Sequence, residues 1–208
     1  MTVGKFVRAS TISDGWYRGL GLIWYHGDML KDERGSMTKE LQNLVIIIEN
    51  PYKDMIPRDS PWNEERLDEY AKQFVTGKNV QDFEYTYGQR LRDWNGIDQI
   101  EYVVRKLKEV PNSRRAICIT WMPPKDTMSD EVPCMMLIDF KLRDSLNLTT
   151  IFRSHDFYGA APNNWYALAR LLEYVAKRIG AKPGTITSIS ISAHIYEHDW
   201  DDVSAILE

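Results

Sequence analysis

Three stretches of the chain repeat apolar residues at intervals of three and four positions, which is the spacing of one face of an α-helix. The clearest spans residues 164–179, where basic residues occupy the last turn and Gly180 follows in a capping position. A second predicted helix, Glu64–Thr76, ends at Gly77, and a third covers residues 97–107. Each helix is therefore expected to bury one side against a shared core.

β-Strands are predicted where short apolar runs occur or where apolar and polar residues alternate. Residues 186–193 alternate most regularly, with isoleucine and alanine on one face and serine on the other. Two polar segments, residues 50–63 and 122–133, are predicted loops. The mixture of helices and strands, some joined by short connections, favours an α+β fold: a mixed, largely antiparallel sheet packed with helices. The predicted strands are residues 44–49, 116–121, 135–140, 148–152 and 186–193.

The composition is that of an ordinary globular protein, because 43% of the 208 residues are hydrophobic and 27% are charged. This length predicts one domain, residues 1–208, whose core is large enough to fold without a metal or a disulfide. The net charge of −4 argues against broad binding to nucleic acid or anionic lipid. The longest apolar run is too short to span a membrane and no secretory signal is present, so a cytoplasmic protein without membrane partners is expected.

Cys134 is the first candidate for chemistry. The chain has only two cysteines, Cys118 and Cys134, which are too few for a disulfide framework or a four-thiolate zinc site. Cys134 follows Pro133 at the start of a predicted strand, where a thiolate at the rim of the sheet could face a cleft. The alternative interpretation is a small buried hydrophobic residue, and it is the stronger one for Cys118.

Arginines at strand ends are the second candidate. Arg114 and Arg115 open one predicted strand, while Arg153 and Ser154 close another. Guanidinium groups beside a hydroxyl suit a phosphate, because the planar fork donates paired, charge-assisted hydrogen bonds. Solvated charges at strand ends are the alternative interpretation. Arg34, which glycine and serine follow, is a weaker anion-binding candidate of the same kind.

The histidines leave two further possibilities to weigh. His194 and His198 have a spacing that suits a metal ion only on a helix, so no metal site is predicted. A Cys-His-Asp hydrolase is conceivable from Cys134, with His155 or His194 and Asp156, on residue type alone.

Taken in order, the motifs of the C-terminal half resemble those of the thymidylate synthase family. They are Ser113-Arg114-Arg115 with Trp121, Pro133-Cys134, Arg153-Ser154-His155-Asp156, Pro162-Asn163-Asn164 and His194-Ile195-Tyr196. Upstream, the segments Asp32-Glu33-Arg34-Gly35 and Tyr85-Thr86-Tyr87-Gly88 look like the family's phosphate-loop arginine and its Tyr-Gly motif. The short chain looks like the compact archaeal-type branch of the family.

The resemblance implies a role for each matched residue. Cys134 is the expected nucleophile, and Asp156 is expected to orient the pterin of a one-carbon donor. The nucleotide phosphate is expected to be held by Arg34, Arg114, Arg115, Arg153 and Ser154. Of these, the Arg114-Arg115 pair would come from the second subunit of a homodimer, and a monomer would leave that pair without this role. Contacts to the rest of the substrate are implied for Asn164 (pyrimidine edge), His194 and Tyr196 (deoxyribose), Tyr87 (proton loss at C5) and Glu69 (proton relay).

The implied reaction is the reductive methylation of dUMP to dTMP through a covalent cysteine–pyrimidine adduct. The cosubstrate is a methylene-carrying reduced pterin, which also supplies the hydride, so no nicotinamide and no metal are required. Asn164 favours dUMP over dCMP, because the related deoxycytidylate hydroxymethylases carry aspartate there. Two alternatives stay open: a dUMP or dCMP hydroxymethylase, and a nucleotide-binding protein without methyl transfer.

Departures from the family pattern concentrate on the donor side. Met135 replaces the usual histidine after the nucleophile, and Phe152 replaces a glutamine. Neither the family's closing C-terminal tail nor its tryptophan-bearing helix is recognisable. The donor is therefore expected to be either methylenetetrahydrofolate or a methanopterin-type carrier.

Overall fold

The computed structural model describes residues 3–77 and 86–208, so Tyr85 of the Tyr-Gly motif lies outside the described residues. The strands are β1 (Val3–Ala9), β2 (Asp28–Lys31), β3 (Met37–Ile48), β4 (Ile117–Ile119), β5 (Met135–Leu142), β6 (Leu146–Phe152), β7 (His155–Asp156) and β8 (Pro183–Tyr196). The helices are α1 (Ile12–His26), α2 (Glu64–Thr76), α3 (Tyr87–Arg92), α4 (Gln99–Glu109), α5 (Pro123–Asp126), α6 (Ala161–Ile179) and α7 (Trp200–Leu207), with a 3₁₀ turn at Glu197–Asp199. None of the helices in these ranges is both long enough and apolar enough to be a bilayer-crossing segment.

The strands form one sheet in the order β1-β3-β8-β6-β5-β4, with β2 added beside β3 and β7 beside β8. Among the described strands, four of the seven pairings are antiparallel and three are parallel. The predicted α+β class and its mixed, mostly antiparallel sheet are confirmed. The long strand β8 runs through the middle of the sheet, so its C-terminal end lies between elements from both halves of the chain.

Several predicted strands have different ends in the structure. Of the predicted strand 44–49, residues 44–48 form the second part of β3, which ends at Ile48, and residues 186–193 lie inside β8. The predicted strand 116–121 shortens to Ile117–Ile119, and the predicted loop 122–133 contains the short helix α5. The first half of β3 is mostly polar, so no hydrophobic run in the sequence predicts a strand there. It is a strand because it pairs with β2 and β8.

Helix α1 is the main element that the sequence pattern does not predict. It contains three glycines, which lower helix propensity. One of them, Gly19, packs so closely on the ring of Phe157 that a Cβ atom there would lie 2.2 Å from it. Trp16, fully buried, donates from its indole nitrogen to the Phe157 carbonyl at 2.7 Å. Tertiary packing therefore sustains a helix that intrinsic propensity disfavours.

The two faces of the sheet differ. On the face that carries the helices, alternate side chains of β3 and β8 are buried, among them Ile46 and Ser190. On the opposite face, strand register aligns one apolar residue from each of six strands, which we call the outer row: Phe6, Val45, Ile189, Ile151, Leu137 and Ile119. The row is only partly buried, and its end members Phe6 and Ile119 are 60% and 44% exposed. Ser188 and Ser190 of β8 thus face the helices, while Ile189 and Ile191 face outward.

Candidate active site

The ends of several strands enclose a pocket of about 360 Å³. β5 begins directly after Cys134 and β6 ends directly before Arg153, while Met135 pairs with Phe152 across the two strands. This register brings the cysteine and the arginine together, and the Arg153 backbone N–H donates to the Cys134 carbonyl at 2.8 Å. Half of the predicted site residues line this pocket: Cys134, Arg34, Arg153, Ser154, His194 and Tyr196.

The backbone around Cys134 is held from two sides. The Arg153 guanidinium donates to the carbonyls of Val132 and Pro133, the two residues before Cys134, at 3.0 Å each. Its Nη2 lies 3.8 Å from Cys134 Sγ. On the other side, the Met135 N–H donates to the Tyr87 hydroxyl at 2.9 Å. Tyr87 therefore lies beside Cys134 and supports the backbone there, and it is not part of the pocket lining.

Burial raises the pKa of the Cys134 thiol above its ordinary value. Arg153 and Arg34 oppose this rise, while Asp156 and Glu131 add to it. The charge of Arg153 favours the thiolate, but desolvation outweighs its effect. The free pocket consequently holds mostly neutral thiol at neutral pH.

Arg34 lies on the turn between β2 and β3. The Asp32 carboxylate accepts hydrogen bonds from the backbone of Arg34 and Ser36, at 2.9 and 2.8 Å, and Gly35 has a φ of +83° that favours glycine. The Arg34 guanidinium is thereby presented at the pocket, where it pairs with Glu131 at 2.6 Å. Since these side chains are 62% and 53% exposed, the pair is weak, and a phosphate could displace Glu131 at little cost.

Arg114 and Arg115 lie away from this pocket in the same chain. They are exposed and precede β4, the last strand of the sheet. The Arg115 backbone is held on both sides, because its N–H donates to Ser113 Oγ at 3.1 Å and its carbonyl accepts from Tyr102 Oη at 2.9 Å. A phosphate role for the pair therefore requires a second copy of the chain.

Asp156 lines a second pocket of about 430 Å³. It stands opposite His194 in the β7–β8 ladder, so the two pockets are neighbours. Burial raises the pKa of Asp156, and a hydrogen bond from the Gly159 N–H at 3.0 Å opposes the rise. Trp62 lines the same pocket, and the Arg66 guanidinium lies 4.8 Å from the centre of its ring.

In the ranges that the structure describes, no cluster of histidine, cysteine and carboxylate side chains could hold a metal ion.

Asn164, on the first turn of α6, is buried within a chain of four side chains. The Tyr70 hydroxyl donates to Asn164 Oδ1 at 2.8 Å, and Asn164 Nδ2 lies 3.5 Å from His155 Nε2. On the other side of its ring, His155 Nδ1 lies 2.8 Å from Ser190 Oγ. Asn164 is absent from the lining of the first pocket, to which it is linked through His155, the chain neighbour of Ser154.

Glu69 does not fit the proton-relay role that the resemblance implies. Its side chain is exposed on the outer face of α2, and it lines neither pocket. The next residue, Tyr70, is the α2 side chain that reaches Asn164. The hydrophobic pattern counts Tyr70 as part of the apolar helix face. A tyrosine on such a face could have indicated a polar contact in the interior, because its hydroxyl needs a hydrogen-bond partner when it is buried.

Comparison with known proteins agrees with the motifs. A family model described as thymidylate synthase matches residues 36–208, a range that includes Cys134 and begins after Arg34. Several relatives that match nearly the whole chain carry the name "Putative thymidylate synthase". Those from Methanosarcina mazei and Methanosarcina barkeri are 62% and 64% identical over 208 residues, covering 99% of this chain and 96% of each relative. The relative from Methanothermobacter thermautotrophicus is 41% identical over 218 residues, covering 97% of this chain and 98% of its own length.

Proposed function

This chain belongs to the thymidylate synthase family, and from that premise we propose that it methylates dUMP reductively to dTMP through a covalent adduct on Cys134. The observation that carries the proposal is the 3.8 Å approach of the Arg153 guanidinium to the Cys134 sulfur inside a pocket. That pocket also contains a hydroxyl, a histidine and a second arginine, which together suit a nucleotide phosphate and sugar. Residues 1–208 would act as one catalytic domain.

The proposed chemistry starts with the formation of a bond between Cys134 Sγ and C6 of the uracil ring. This addition makes C5 nucleophilic, and C5 then forms a bond to the methylene carbon of the donor. A proton leaves C5 and the reduced pterin is eliminated, which leaves an exocyclic methylene group. Hydride transfer from the pterin converts the methylene to methyl and oxidises the pterin, and the Sγ–C6 bond breaks to release dTMP.

The pocket supports one orientation of the nucleotide. Arg34, Arg153 and Ser154 would hold the phosphate, and His194 with Tyr196 would contact the deoxyribose. Because the phosphate site is remote from the reacting carbons, its binding energy serves to place the ring against the sulfur. A phosphate that displaces Glu131 from Arg34 would also remove one carboxylate from the surroundings of the thiol.

The second pocket supports a site for the reduced-pterin donor. It offers the flat Trp62 indole for stacking and the Asp156 carboxylate for hydrogen bonds to the pterin ring. Its position next to His194 places it beside the proposed nucleotide site. Methylenetetrahydrofolate and a methanopterin-type carrier share the reduced pterin that this pocket would contact, so either can be tested as the one-carbon donor.

Incubation of the protein with C5-tritiated dUMP and a methylene-carrying reduced pterin is expected to release tritium and to yield dTMP by mass. Each of the two pterin types is tested separately. A hydroxymethylated product would instead identify a hydroxymethylase, since water then quenches the exocyclic methylene. Nucleotide binding without any tritium release with either donor would contradict the proposed methyl transfer.

The outer row supports a homodimer. It is an apolar surface across six strands that ends in the exposed residues Phe6 and Ile119, and such surfaces mark protein contacts. A two-fold contact pairs a surface with its own copy. Pairing through this face would bring β4 of one subunit, with Arg114 and Arg115, toward its partner. The exposure of the arginine pair, remote from its own pocket, fits a role in the partner's phosphate site.

Mixing two inactive variants is expected to restore about a quarter of the wild-type activity if the arginines act across the dimer. One variant carries Cys134→Ala and the other carries Arg114→Ala with Arg115→Ala. Each hybrid dimer then contains one site with the native cysteine and the native arginines. Activity is measured as tritium release after subunit exchange.

The matched control mixes Cys134→Ala with Arg153→Ala. These residues lie in the same pocket of one chain, so every site in the hybrid keeps one lesion and no activity should return. Failure of the first mixture to recover, in a preparation shown to be dimeric and to have exchanged subunits, would contradict the role in trans.

A further inference from the structure

The buried amide of Asn164 is held at both ends by side chains outside the first pocket. We propose that Tyr70 and His155 lock this amide in one orientation and thereby set the preference for uracil over cytosine nucleotides. The inference rests on the proposed function, in which Asn164 contacts the pyrimidine edge. Tyr70 and His155 are positioning residues in this scheme, because they act on the base through Asn164.

His155 fixes the nitrogen end of the amide. Its side chain is completely enclosed, with 1% of the residue exposed, and burial lowers the pKa of His155 to about 3. The ring is therefore neutral at physiological pH, with one N–H and one lone pair. Since Asn164 turns Nδ2 toward Nε2, the lone pair lies on Nε2 and the proton on Nδ1, where Ser190 Oγ accepts it. Stacking on Phe152, with ring centres 3.8 Å apart, holds the imidazole plane.

Tyr70 fixes the oxygen end. Its hydroxyl donates to Asn164 Oδ1, and its ring lies between Trp62 and Phe74, with centres 6.0 and 5.6 Å away. A turned amide would place its NH₂ group against the Tyr70 hydroxyl and its oxygen against the lone pair of His155. Restoring the hydrogen bonds would require rotation of that hydroxyl together with a change of imidazole tautomer. The two contacts therefore oppose rotation jointly.

A fixed amide can recognise only one of the two bases. After its contacts to Tyr70 and His155, the Asn164 amide retains one acceptor lone pair and one N–H. Uracil offers a donor at N3 and an acceptor at O4, whereas cytosine offers an acceptor at N3 and a donor at its 4-amino group. The two edges thus require opposite amide orientations. An amide free to rotate could bind either base, whereas an amide fixed in one orientation binds uracil and rejects cytosine.

The test compares the dissociation constants of dUMP and dCMP by calorimetry in wild type, Tyr70→Phe and Tyr166→Phe. Wild type is expected to prefer dUMP, and Tyr70→Phe is expected to narrow the ratio of the two constants about tenfold, the effect of one lost hydrogen bond. Phenylalanine keeps the ring packing. Tyr166→Phe is the matched control, because the Tyr166 hydroxyl donates to Asp68 at 2.6 Å across the same helix pair without reaching Asn164.

A purely structural role for Tyr70 would weaken the binding of both nucleotides equally, so an unchanged ratio would overturn the inference. The ratio also separates this inference from the proposed function. Binding of dUMP by wild type without turnover would contradict the methyl transfer only, while a wild type that binds neither nucleotide would contradict both.

Nitrogen-15 NMR of histidine-labelled protein gives an independent readout. The chemical shifts of His155 are expected to show the Nδ1–H tautomer, with no protonation between pH 8 and about 5, since burial disfavours the charged ring. Assignment uses a His155→Gln sample. An Nε2–H tautomer in the free protein would require the Asn164 oxygen, in place of its NH₂ group, to face His155, and would overturn the proposed orientation.

Discussion

Replacement of Cys134 with alanine is expected to abolish the covalent complex with 5-fluoro-dUMP and to slow tritium release from C5 at least about 10⁴-fold. Without the sulfur, C6 has no nucleophile and C5 does not become reactive. Arg153, Ser154 and the sugar contacts remain, so dUMP should still bind. Intact-protein mass spectrometry measures the adduct, and calorimetry measures the retained binding.

Cys118→Ala is the matched control. Cys118 is fully buried in β4, burial raises the pKa of its thiol, and its sulfur contacts the Gln99 carbonyl at 3.6 Å. It lines neither pocket, so the variant should form the adduct at the wild-type rate, provided that it folds. An adduct that persists in Cys134→Ala and disappears in Cys118→Ala would reverse the assignment.

The pH dependence of adduct formation follows from the surroundings of Cys134. Since burial raises the pKa of its thiol, the reactive thiolate is scarce at neutral pH, and the rate of adduct formation should increase as the pH rises from 7 toward 9. Arg153 opposes this effect of burial, which would give the guanidinium a second role besides the proposed phosphate binding.

The pocket could be predicted largely from where residues stand relative to strand ends. Cys134 immediately precedes a strand and Arg153 immediately follows one, and antiparallel neighbours place such positions side by side. His194 and Tyr196 extend β8 to the same place, because residues two apart in a strand share a face. These relations depend only on strand ends and on side-chain alternation, so the sequence pattern is enough to predict them.

The remaining features depend on partners that are distant in sequence. The alternation in β8 predicts two faces, yet only the position of α6 decides that Ser190 faces inward while Ile189 joins the outer row. Helix α1 depends on the fit of Gly19 against Phe157, which no local propensity encodes. Tyr70 likewise looks like a core residue until Asn164, 94 positions away, is placed against its hydroxyl.

The support of Cys134 extends to helix α3 and the loop before β5. Tyr87, which accepts a hydrogen bond from the residue after Cys134, begins α3. One turn later Arg90 forms a bidentate ion pair with Asp126 of α5, at 2.6 and 3.2 Å, and both side chains are almost completely buried. Asp126 also accepts from the Met122 N–H at 2.6 Å. The pair therefore ties α3 to the segment that leads into Cys134.

Arg90→Met is expected to lower the free energy of unfolding by about 3–5 kcal/mol, because it leaves the Asp126 carboxylate buried without its partner. The measurement is urea unfolding followed by circular dichroism at neutral pH. A double variant, Arg90→Met with Asp126→Leu, should recover much of the loss, since no uncompensated charge then remains. Arg8→Met is the matched control: Arg8 pairs with Glu49 at 2.5 Å but is 63% exposed, so its loss should cost no more than about 1 kcal/mol.

The same variants connect stability with chemistry. If α3 positions the nucleophile through Tyr87, Arg90→Met should form the 5-fluoro-dUMP adduct more slowly even at temperatures where it is fully folded. The expected order of adduct rates is wild type, then the double variant, then Arg90→Met, which parallels the order of stabilities. A folded Arg90→Met protein with the wild-type adduct rate and unfolding free energy would show that the buried pair supports neither the fold nor the pocket.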